Sequence, residues 1–308
     1  MLYILMHLFN QLGASCPMLA YVLAGLLITS IVARSSNIVN FYFRLVLVFV
    51  GIIIACIVGI TSAVVLAPLG RRTDIDWVVA RTFNGFNWLV LGFRSVVDHP
   101  EHIDPRKPCI YVANHQSMLD LIALGCIFPK QCVITAKNSL KYYPFLGQFM
   151  QLGSNIFINR GNKQQAVQVF KDAVNTIHQK QLSVFIFPEG TRGRQLNATL
   201  LPFKKGAFHM AVQAGVPVVP LVFSDFHSFY CKKEKRFESG TIKIKGTTAD
   251  KRIRFFKVIG RTLMATLEPV STQGMAAEDV DKLTNDVRDL MSKALIDMAQ
   301  EDASKKHD

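Results

Sequence analysis

Apolar residues are concentrated at the start of this chain. Between residues 1 and 33 only His7 can carry a charge near neutral pH, and residues 45–69 contain no charged side chain. A helix rises 1.5 Å per residue, so this second stretch spans roughly 37 Å, enough to cross a bilayer with some tilt. The pattern predicts two hydrophobic membrane helices, clearest over residues 18–33 and 45–69, in a membrane-anchoring region at residues 1–70.

Two other interpretations of these stretches are open. A buried core helix is the alternative for residues 45–69, although core helices seldom run so long without a polar face. A cleaved signal peptide fits poorly, because no basic residue precedes the first stretch. Arg34 and Arg44 lie before the second stretch and Arg71 and Arg72 follow it, so the positive-inside bias does not decide the topology.

Beyond residue 105 the pattern changes, because short apolar runs typical of strands alternate with stretches of helical spacing. The predicted strands are residues 109–113, 132–136, 183–187 and 216–223, and the predicted helices are residues 118–127, 163–178 and 204–213. This alternation predicts an α/β domain over residues 71–270, with a mixed, partly parallel sheet flanked by helices. Strand-like runs at 241–245 and 253–258 follow, and helical spacing from residue 280 predicts a helix in a C-terminal segment at residues 271–308.

Composition adds a strongly basic region to this picture. The chain carries 35 Lys plus Arg against 22 Asp plus Glu, and residues 130–261 alone hold 22 against 6. Such a region attracts anionic headgroups, phosphorylated substrates or nucleic acid, unless it is only a solvated basic face. Half of all residues are hydrophobic, which excludes a disordered or fibrous chain. The six cysteines form no CxxC pair and no metal-ligand spacing, which favours reduced structural thiols.

The most informative polar stretch is Asn114–Asp120, which follows a predicted strand and opens a predicted helix. Ligands bind where strands of an α/β sheet end. Asp120 comes five positions after His115, and this spacing can return a carboxylate to the imidazole, leaving the other ring nitrogen as a general base. The structural alternative is a capping box formed by Ser117 and Asp120, with a solvated histidine beside it.

A second stretch, residues 187–192, also follows a predicted strand, and its proline and glycine force a turn. Glu189 and Arg192 would then lie at the same edge of the sheet. The fixed fork of Arg192 suits a phosphate, and Gly190 lets the backbone approach a ligand closely. The alternative is an ordinary turn in which Glu189 pairs with Arg192 or Arg194.

A third cation, Lys137, follows another predicted strand and can reach an anion. Tyr142, Tyr143 and Phe145 come shortly after it and fit an apolar wall, a membrane surface or ordinary core packing. The chain has no Gly-x-Ser-x-Gly elbow, and no cysteine adjoins the histidine motif. A base without a nucleophile favours direct transfer, in which His115 activates a hydroxyl of the substrate.

Four motifs in order resemble the glycerolipid acyltransferases, closest to the eukaryotic microsomal 1-acyl-sn-glycerol-3-phosphate (lysophosphatidic acid) acyltransferases. They are Asn-His-x4-Asp at 114–120, the stretch at 137–147, Phe-Pro-Glu-Gly-Thr-Arg at 187–192 and Val-Pro-Val-Val-Pro-Leu at 216–221. The stretch at 201–209 also matches that branch, and the resemblance covers about residues 70–270.

The resemblance implies an enzyme that takes acyl-CoA as co-substrate and lysophosphatidic acid as acceptor, with no cofactor and no metal. The product would be phosphatidic acid, for phospholipid and triacylglycerol synthesis. His115 would be the base and Asp120 its orienting partner. The implied substrate-binding residues are Lys137, Arg160, Glu189, Gly190, Thr191 and Arg192. The family usually has Asp-Arg where this chain has Asn159-Arg160, which puts a carboxylate role at 159 in doubt and leaves Arg160 intact.

Other functions remain open at this point. The same motifs would serve glycerol-3-phosphate or another lysophospholipid as acceptor, or transfer between phospholipids without CoA. A non-catalytic membrane-anchored protein that binds anionic lipid or nucleic acid is a further alternative, although the chain has no nucleic-acid motif. The resemblance implies the endoplasmic reticulum membrane, with lipid droplets as second choice and a cytosolic catalytic domain. The sequon at Asn197 should then be unmodified.

Overall fold

A mixed seven-stranded sheet forms the centre of the protein. The computed structural model describes Gly25 and residues 36–98, 103–104, 107–193, 199–227, 229–238 and 261–304. The strands are β1 (Arg94–Asp98), β2 (Ile110–Ala113), β3 (Cys132–Lys137), β4 (Ile156–Ile158), β5 (Ser183–Ile186), β6 (Val218–Phe223), β7 (Tyr230–Cys231), β8 (Arg236–Phe237) and β9 (Arg261–Thr266). The sheet order is β1-β9-β6-β2-β5-β3-β4, and β7 and β8 form a separate hairpin.

The helices are α1 (Asn37–Leu66), α2 (Asp74–Leu91), α3 (Asp120–Ile127), α4 (Leu146–Leu152), α5 (Lys163–Lys180), α6 (Gly206–Ala214) and α7 (Val280–Ser304). Two 3-10 helices, Asn138–Tyr142 and Ala277–Asp279, precede α4 and α7. Helix thus alternates with strand from β2 to β6, as the sequence pattern predicts.

The pairing brings five strand ends to one edge. The neighbouring strands β6, β2, β5, β3 and β4 are mutually parallel, so all five end at what we call the carboxyl edge of the sheet. Strand β9 runs antiparallel to β6, and β1 runs parallel to β9. The prediction of a mixed, partly parallel sheet flanked by helices is therefore confirmed.

Two apolar layers cover the sheet, because successive side chains of a strand point to opposite faces. Tyr111 joins a cluster with α1, α2 and α3, whereas its neighbours Ile110 and Val112 join one with α5, α6 and α7. Every residue of β2, β5 and β6 is buried. Strands covered on both faces need continuous apolar runs, which is why these three were visible in the sequence.

Helix α1 contains most of the second predicted hydrophobic stretch, although it begins at Asn37 and ends at Leu66. It is the one helix of the described residues that is long and apolar enough to cross a membrane, and only 28% of its most apolar window is buried. A narrow stripe that includes Gly51, Ala55 and Gly59 is buried against the domain. Apart from Gly25, the first predicted helix lies outside the described residues, so the second of the two is the one with a counterpart here.

Several elements differ from the sequence pattern. The four predicted strands occur within two residues of their expected ends, and the strand-like runs at 241–245 and 253–258 lie outside the described residues. The sequence pattern predicts neither the strands β1, β4, β7, β8 and β9 nor the helices α2 and α4. Strand β4 has only three residues, all half-buried, which is too short for a periodic signal. The five described cysteines are free thiols, and burial raises the pKa of Cys109 to about 11.

Candidate active site

The predicted site residues follow strands that end together at the carboxyl edge. His115 follows β2 and Glu189 follows the adjacent strand β5. Lys137 is the last residue of β3, next to β5, and Arg160 comes two residues after β4. The parallel pairing therefore brings motifs up to 74 residues apart in sequence to one edge.

His115 and Asp120 form a short hydrogen-bonded pair. The His115 Nδ1 atom lies 2.6 Å from Asp120 Oδ2, the carboxylate is fully buried, and the imidazole side chain is 18% exposed. The same carboxylate oxygen accepts the backbone N–H groups of Gln116 at 2.8 Å and Ser117 at 3.0 Å. Three donors thus converge on one oxygen, which fixes the ring and leaves Nε2 without a hydrogen bond to any described residue.

Burial dominates the electrostatics of this pair. It raises the pKa of Asp120 above its ordinary value, and the hydrogen bond from His115 opposes that rise. The other carboxylate oxygen, Oδ1, is buried without a hydrogen-bond partner in the described part of the chain. A carboxylate that is poorly solvated and faces an imidazole stabilises the protonated ring strongly, which is the property that a general base needs.

The capping alternative is realised in part. Asp120 accepts the Ser117 N–H as a capping carboxylate would, but the Ser117 hydroxyl accepts from Leu119 N at 2.9 Å, not from the third residue of α3. The carboxylate therefore serves the start of the helix and the imidazole at once. The two interpretations of this motif do not exclude each other.

Neighbouring residues hold residues 114–116, which follow β2, in place. The Phe187 ring stacks on the His115 ring at a centroid distance of 4.2 Å and an angle of 21°. Asn114 is fully buried and exchanges two hydrogen bonds with the backbone of Phe223, at 2.8 and 2.9 Å. Gln116 donates to the same Phe223 carbonyl at 2.8 Å. The loop after β2 is thus tied to the end of β6 on one side and to the end of β5 on the other.

Glu189 organises the loop that we call the Glu189 loop, residues 187–193. Its buried carboxylate accepts His115 N at 2.8 Å through Oε1 and Leu201 N at 3.2 Å through Oε2. Gly193 N donates to His115 O at 2.8 Å, so this loop and His115 are bound by two hydrogen bonds. Burial raises the pKa of Glu189. No ion pair joins Glu189 to Arg192, and Arg194 lies outside the described residues.

The remaining predicted binding residues lie at the surface of the same edge. Thr191 and Arg192 are exposed in the Glu189 loop, and Lys137 is exposed at the end of β3. The Arg160 guanidinium donates to the carbonyl oxygen of Gly190, so it is directly attached to this loop. Lys137 makes no hydrogen bond or ion pair with the described residues, and its role as a phosphate contact stays a prediction.

Sequence reasoning assigned no role to Asn114, Phe187, Leu201 or Lys204. The first two lie inside the quoted motifs, so their position was the available signal. Leu201 and Lys204 belong to the 201–209 stretch, whose backbone binds the Glu189 loop: Lys204 N donates to Pro188 O at 2.8 Å. No local sequence pattern predicts the hydrogen bond between Lys204 and Pro188.

The C-terminal helix supports this arrangement from outside. Arg288 of α7 donates to the carbonyl oxygens of Leu200 at 3.0 Å and Leu201 at 3.3 Å. Leu201 in turn donates to Glu189, which holds the backbone of His115. A chain of hydrogen bonds therefore runs from α7 to the candidate base.

One group of side chains has metal-ligand chemistry. The ligand atoms of His227, Cys231 and Glu234 lie within 4.8 Å of one another near the β7–β8 hairpin. Arg236 occupies the place of a cation there, because its Nη2 lies 2.9 Å from Glu234 Oε2 and 3.4 Å from His227 Nδ1. The group is better explained as an ion-paired cluster than as a metal centre.

Comparisons with known proteins point to one family. A family model described as Acyltransferase matches residues 94–224. The human 1-acyl-sn-glycerol-3-phosphate acyltransferase beta is 36% identical over 267 residues, which cover 85% of this chain and 86% of that protein. The chain belongs to the acyltransferase family. The 1-acyl-sn-glycerol-3-phosphate acyltransferase of Saccharomyces cerevisiae is 33% identical over 255 residues, covering 83% of this chain and 77% of the yeast protein.

A solved structure supports the fold of this acyltransferase. The 1-acyl-sn-glycerophosphate acyltransferase PlsC from Thermotoga maritima superposes with a TM-score of 0.61 at 21% identity. The match covers 85% of this chain and 95% of PlsC. The resemblance drawn from the four motifs is thus confirmed at the level of family and fold, while the roles of individual residues stay predictions.

Proposed function

We propose that this acyltransferase transfers an acyl group from acyl-CoA to the sn-2 hydroxyl of lysophosphatidic acid, giving phosphatidic acid and free CoA. The observation that carries the proposal is the His115–Asp120 pair, held at 2.6 Å by converging donors at the carboxyl edge. Relatives that are 33% and 36% identical over most of their length are named for the same acceptor.

The reaction is direct transfer with general-base catalysis. His115 Nε2 takes the proton of the acceptor hydroxyl while that oxygen forms a bond to the thioester carbonyl carbon. Asp120 stabilises the imidazolium that results. The tetrahedral intermediate then breaks its carbon–sulfur bond, and the imidazolium returns the proton to the CoA sulfur. Positioned base catalysis of this kind contributes roughly 10²- to 10⁴-fold.

The acceptor headgroup fits the cations of the Glu189 loop. Arg160 and Arg192 lie on or beside this loop, which is bonded directly to His115. A phosphate held there would place the neighbouring glycerol hydroxyl next to the imidazole. Glu189 supports this site through the backbone, because both of its oxygens already accept N–H groups.

The test is transfer of labelled oleoyl groups by membranes that carry the wild type or His115→Ala. Lysophosphatidic acid, glycerol-3-phosphate and lysophosphatidylcholine are offered separately, with and without oleoyl-CoA. Phosphatidic acid that forms only with oleoyl-CoA, and falls to a small residual rate in His115→Ala, is the expected result. Another preferred acceptor would change the substrate and keep the mechanism, and transfer without acyl-CoA would replace the donor. No transfer at all would refute the enzymatic proposal.

The proposal includes attachment to a membrane through α1. Near its start, Asn40 donates to Phe237 O of the hairpin at 3.0 Å, and near its end Gly59 packs against Phe149 of α4. The helix therefore runs along the domain for about 28 Å, at 1.5 Å per residue. Its opposite side exposes an apolar stripe. That stripe includes Val46, Phe49, Ile53, Ile57 and Val64. An exposed apolar surface of this length favours burial in hydrocarbon.

A matched pair of substitutions tests this attachment. Ile53 on α1 and Ile296 on α7 are both 46% exposed. Ile53→Asp should weaken binding to vesicles of phosphatidylcholine in a flotation assay, whereas Ile296→Asp should float like the wild type. Equal flotation of the two variants and the wild type would show that α1 does not contact the membrane.

For localisation we propose the endoplasmic reticulum membrane with the catalytic domain in the cytosol, and lipid droplets as a second site. The supporting observation is the apolar helix together with the family. Asn197 lies outside the described residues, but its sequon reports on orientation. A shift in mobility on glycosidase treatment that disappears in Asn197→Gln would place this region in the lumen.

A further inference from the structure

The open side of Gly190 is filled by a lysine. Gly190 has φ +69°, and a Cβ atom built on it would lie 2.8 Å from Cε and 3.1 Å from Nζ of Lys204. The sequence predicts that this glycine lets a ligand approach the backbone closely. In the structure the space that its missing side chain leaves is taken by the Lys204 stem, with the ammonium group at the surface of the Glu189 loop.

Backbone contacts hold Lys204 there. Its N–H donates to Pro188 O at 2.8 Å, so the start of the lysine side chain is fixed to the turn that contains Gly190. The Arg160 guanidinium binds the Gly190 carbonyl, and Arg192 is exposed two residues further on. Three cationic side chains therefore lie on or beside one turn.

These cations lack carboxylate partners. Within the described part of the chain, no Asp or Glu forms an ion pair with Arg160, Arg192 or Lys204. The nearest acid in the sequence, Glu189, is buried with both oxygens accepting backbone N–H groups. Unpaired cations at one turn attract an anion of matching charge, and a phosphate monoester carries up to two negative charges near neutral pH.

The next residue provides a contrast. Lys205 forms an ion pair with Asp281 of α7 at 2.6 Å. Two adjacent lysines, both exposed, thus have different surroundings: Lys205 is neutralised by the C-terminal helix, and Lys204 is left unpaired over the Glu189 loop.

We infer that Lys204 is a phosphate-binding side chain of the acceptor site, and that Gly190 lacks a side chain so that the Lys204 stem can lie across it. The Lys204 ammonium binds the acceptor phosphate together with the Arg192 fork, while Arg160 fixes the turn. The identity of the anion rests on the proposed function, because lysophosphatidic acid supplies the phosphate.

The test compares Lys204→Met with Lys205→Met, two variants that each remove one exposed ammonium and keep a long apolar stem. Lys204→Met should raise the KM for lysophosphatidic acid roughly 10-fold or more, which is the loss expected for one charge-assisted hydrogen bond. Its kcat should change much less, because the base is untouched. Lys205→Met should keep both constants, and Lys204→Arg should recover most of the affinity.

Phosphate binding separates this inference from the proposed function. Binding of inorganic phosphate to the full-length protein in detergent is measured by titration calorimetry for the wild type and both methionine variants. Weaker binding in Lys204→Met alone supports the site even if the wild type fails to acylate lysophosphatidic acid. Equal binding in all three proteins, or an unchanged KM in Lys204→Met, overturns the inference.

A second variant covers the case in which Lys204→Met does not fold. Gly190→Ala keeps every charge, but its methyl group lies at a positive φ and would meet the Lys204 stem, so the turn is strained and the stem is displaced. We expect the same rise in KM and the same loss of phosphate binding. Wild-type values in Gly190→Ala would show that the seating of Lys204 on Gly190 is irrelevant.

Discussion

Replacing Asp120 by Asn separates the charge of the carboxylate from its shape. All three donors to Asp120 converge on Oδ2, so the amide oxygen of Asn can take that place and keep the three hydrogen bonds. The amide nitrogen then takes the place of Oδ1, which has no partner among the described residues. The main change is the loss of a negative charge next to the His115 ring.

The expected magnitude follows from that charge. Two unit charges about 4 Å apart interact by about 4 kcal/mol at an effective dielectric constant of 20. The imidazolium exists only after His115 has taken the proton, so the loss falls on the transition state. A barrier increase of this size lowers kcat by about 10³-fold. The KM for the acceptor should change little, because the headgroup contacts are elsewhere.

A double-mutant cycle makes the assay decisive. CoA release is measured with lysophosphatidic acid for Asp120→Asn, His115→Ala and the double variant, and thermal unfolding of each is followed as a control. If Asp120 acts through the imidazole, Asp120→Asn should cost little more in the His115→Ala background. A variant Asp120→Asn that keeps more than a tenth of the wild-type kcat, or that costs the same factor in both backgrounds, would show that Asp120 does not act through the charge it places beside His115.

Three further substitutions test single contacts. Burial raises the pKa of Asp76 far above its ordinary value despite a hydrogen bond from Asn155. Wild-type unfolding free energy should therefore fall as pH rises above about 4, by about 1.4 kcal/mol per unit of pKa elevation. Asp76→Asn should make the unfolding free energy depend less on pH, and a pH dependence equal to that of the wild type would contradict this. Asn114→Ala should lower the unfolding free energy by about 2–4 kcal/mol in denaturant titrations, since two buried hydrogen bonds to Phe223 are lost; a loss below about 1 kcal/mol contradicts it. Phe187→Leu should reduce kcat roughly 3- to 10-fold by removing the stacked ring, and an unchanged kcat would exclude that role.

The sequence predicts the centre of the sheet well and its margins poorly, for a physical reason. Strands β2, β5 and β6 are covered on both faces, so each is a continuous apolar run between turn residues. The strands at the two edges of the sheet differ from these three: β4 has three half-buried residues, and β1 begins with Arg94 and ends with Asp98. Burial on both faces produces a continuous apolar run that is visible in the sequence, and β4, with three half-buried residues, is too short to show one.

In the candidate site, contacts within one short stretch of chain are predictable from sequence, whereas contacts between separate loops are not. The closeness of His115 and Asp120 depends on five residues of local chain, so spacing alone predicts it. The partners of Glu189 depend on how two loops meet: one oxygen accepts a group 74 residues away and the other a group 12 residues away. The position of Lys204 over Gly190 depends on the same meeting of loops, and no local pattern encodes it.

The hydrogen bonds between α7 and the backbone at Leu200 and Leu201 matter for identifying active enzymes from gene sequences. All four motifs lie before residue 225, whereas Arg288 comes much later in the chain. A splice form or an allele that stops before residue 280 would encode every motif and still lose the support beneath Glu189 and His115. Counting enzymes by motif content would therefore include products that lack this support, and the presence of a C-terminal helix with a basic residue facing that backbone is the better criterion.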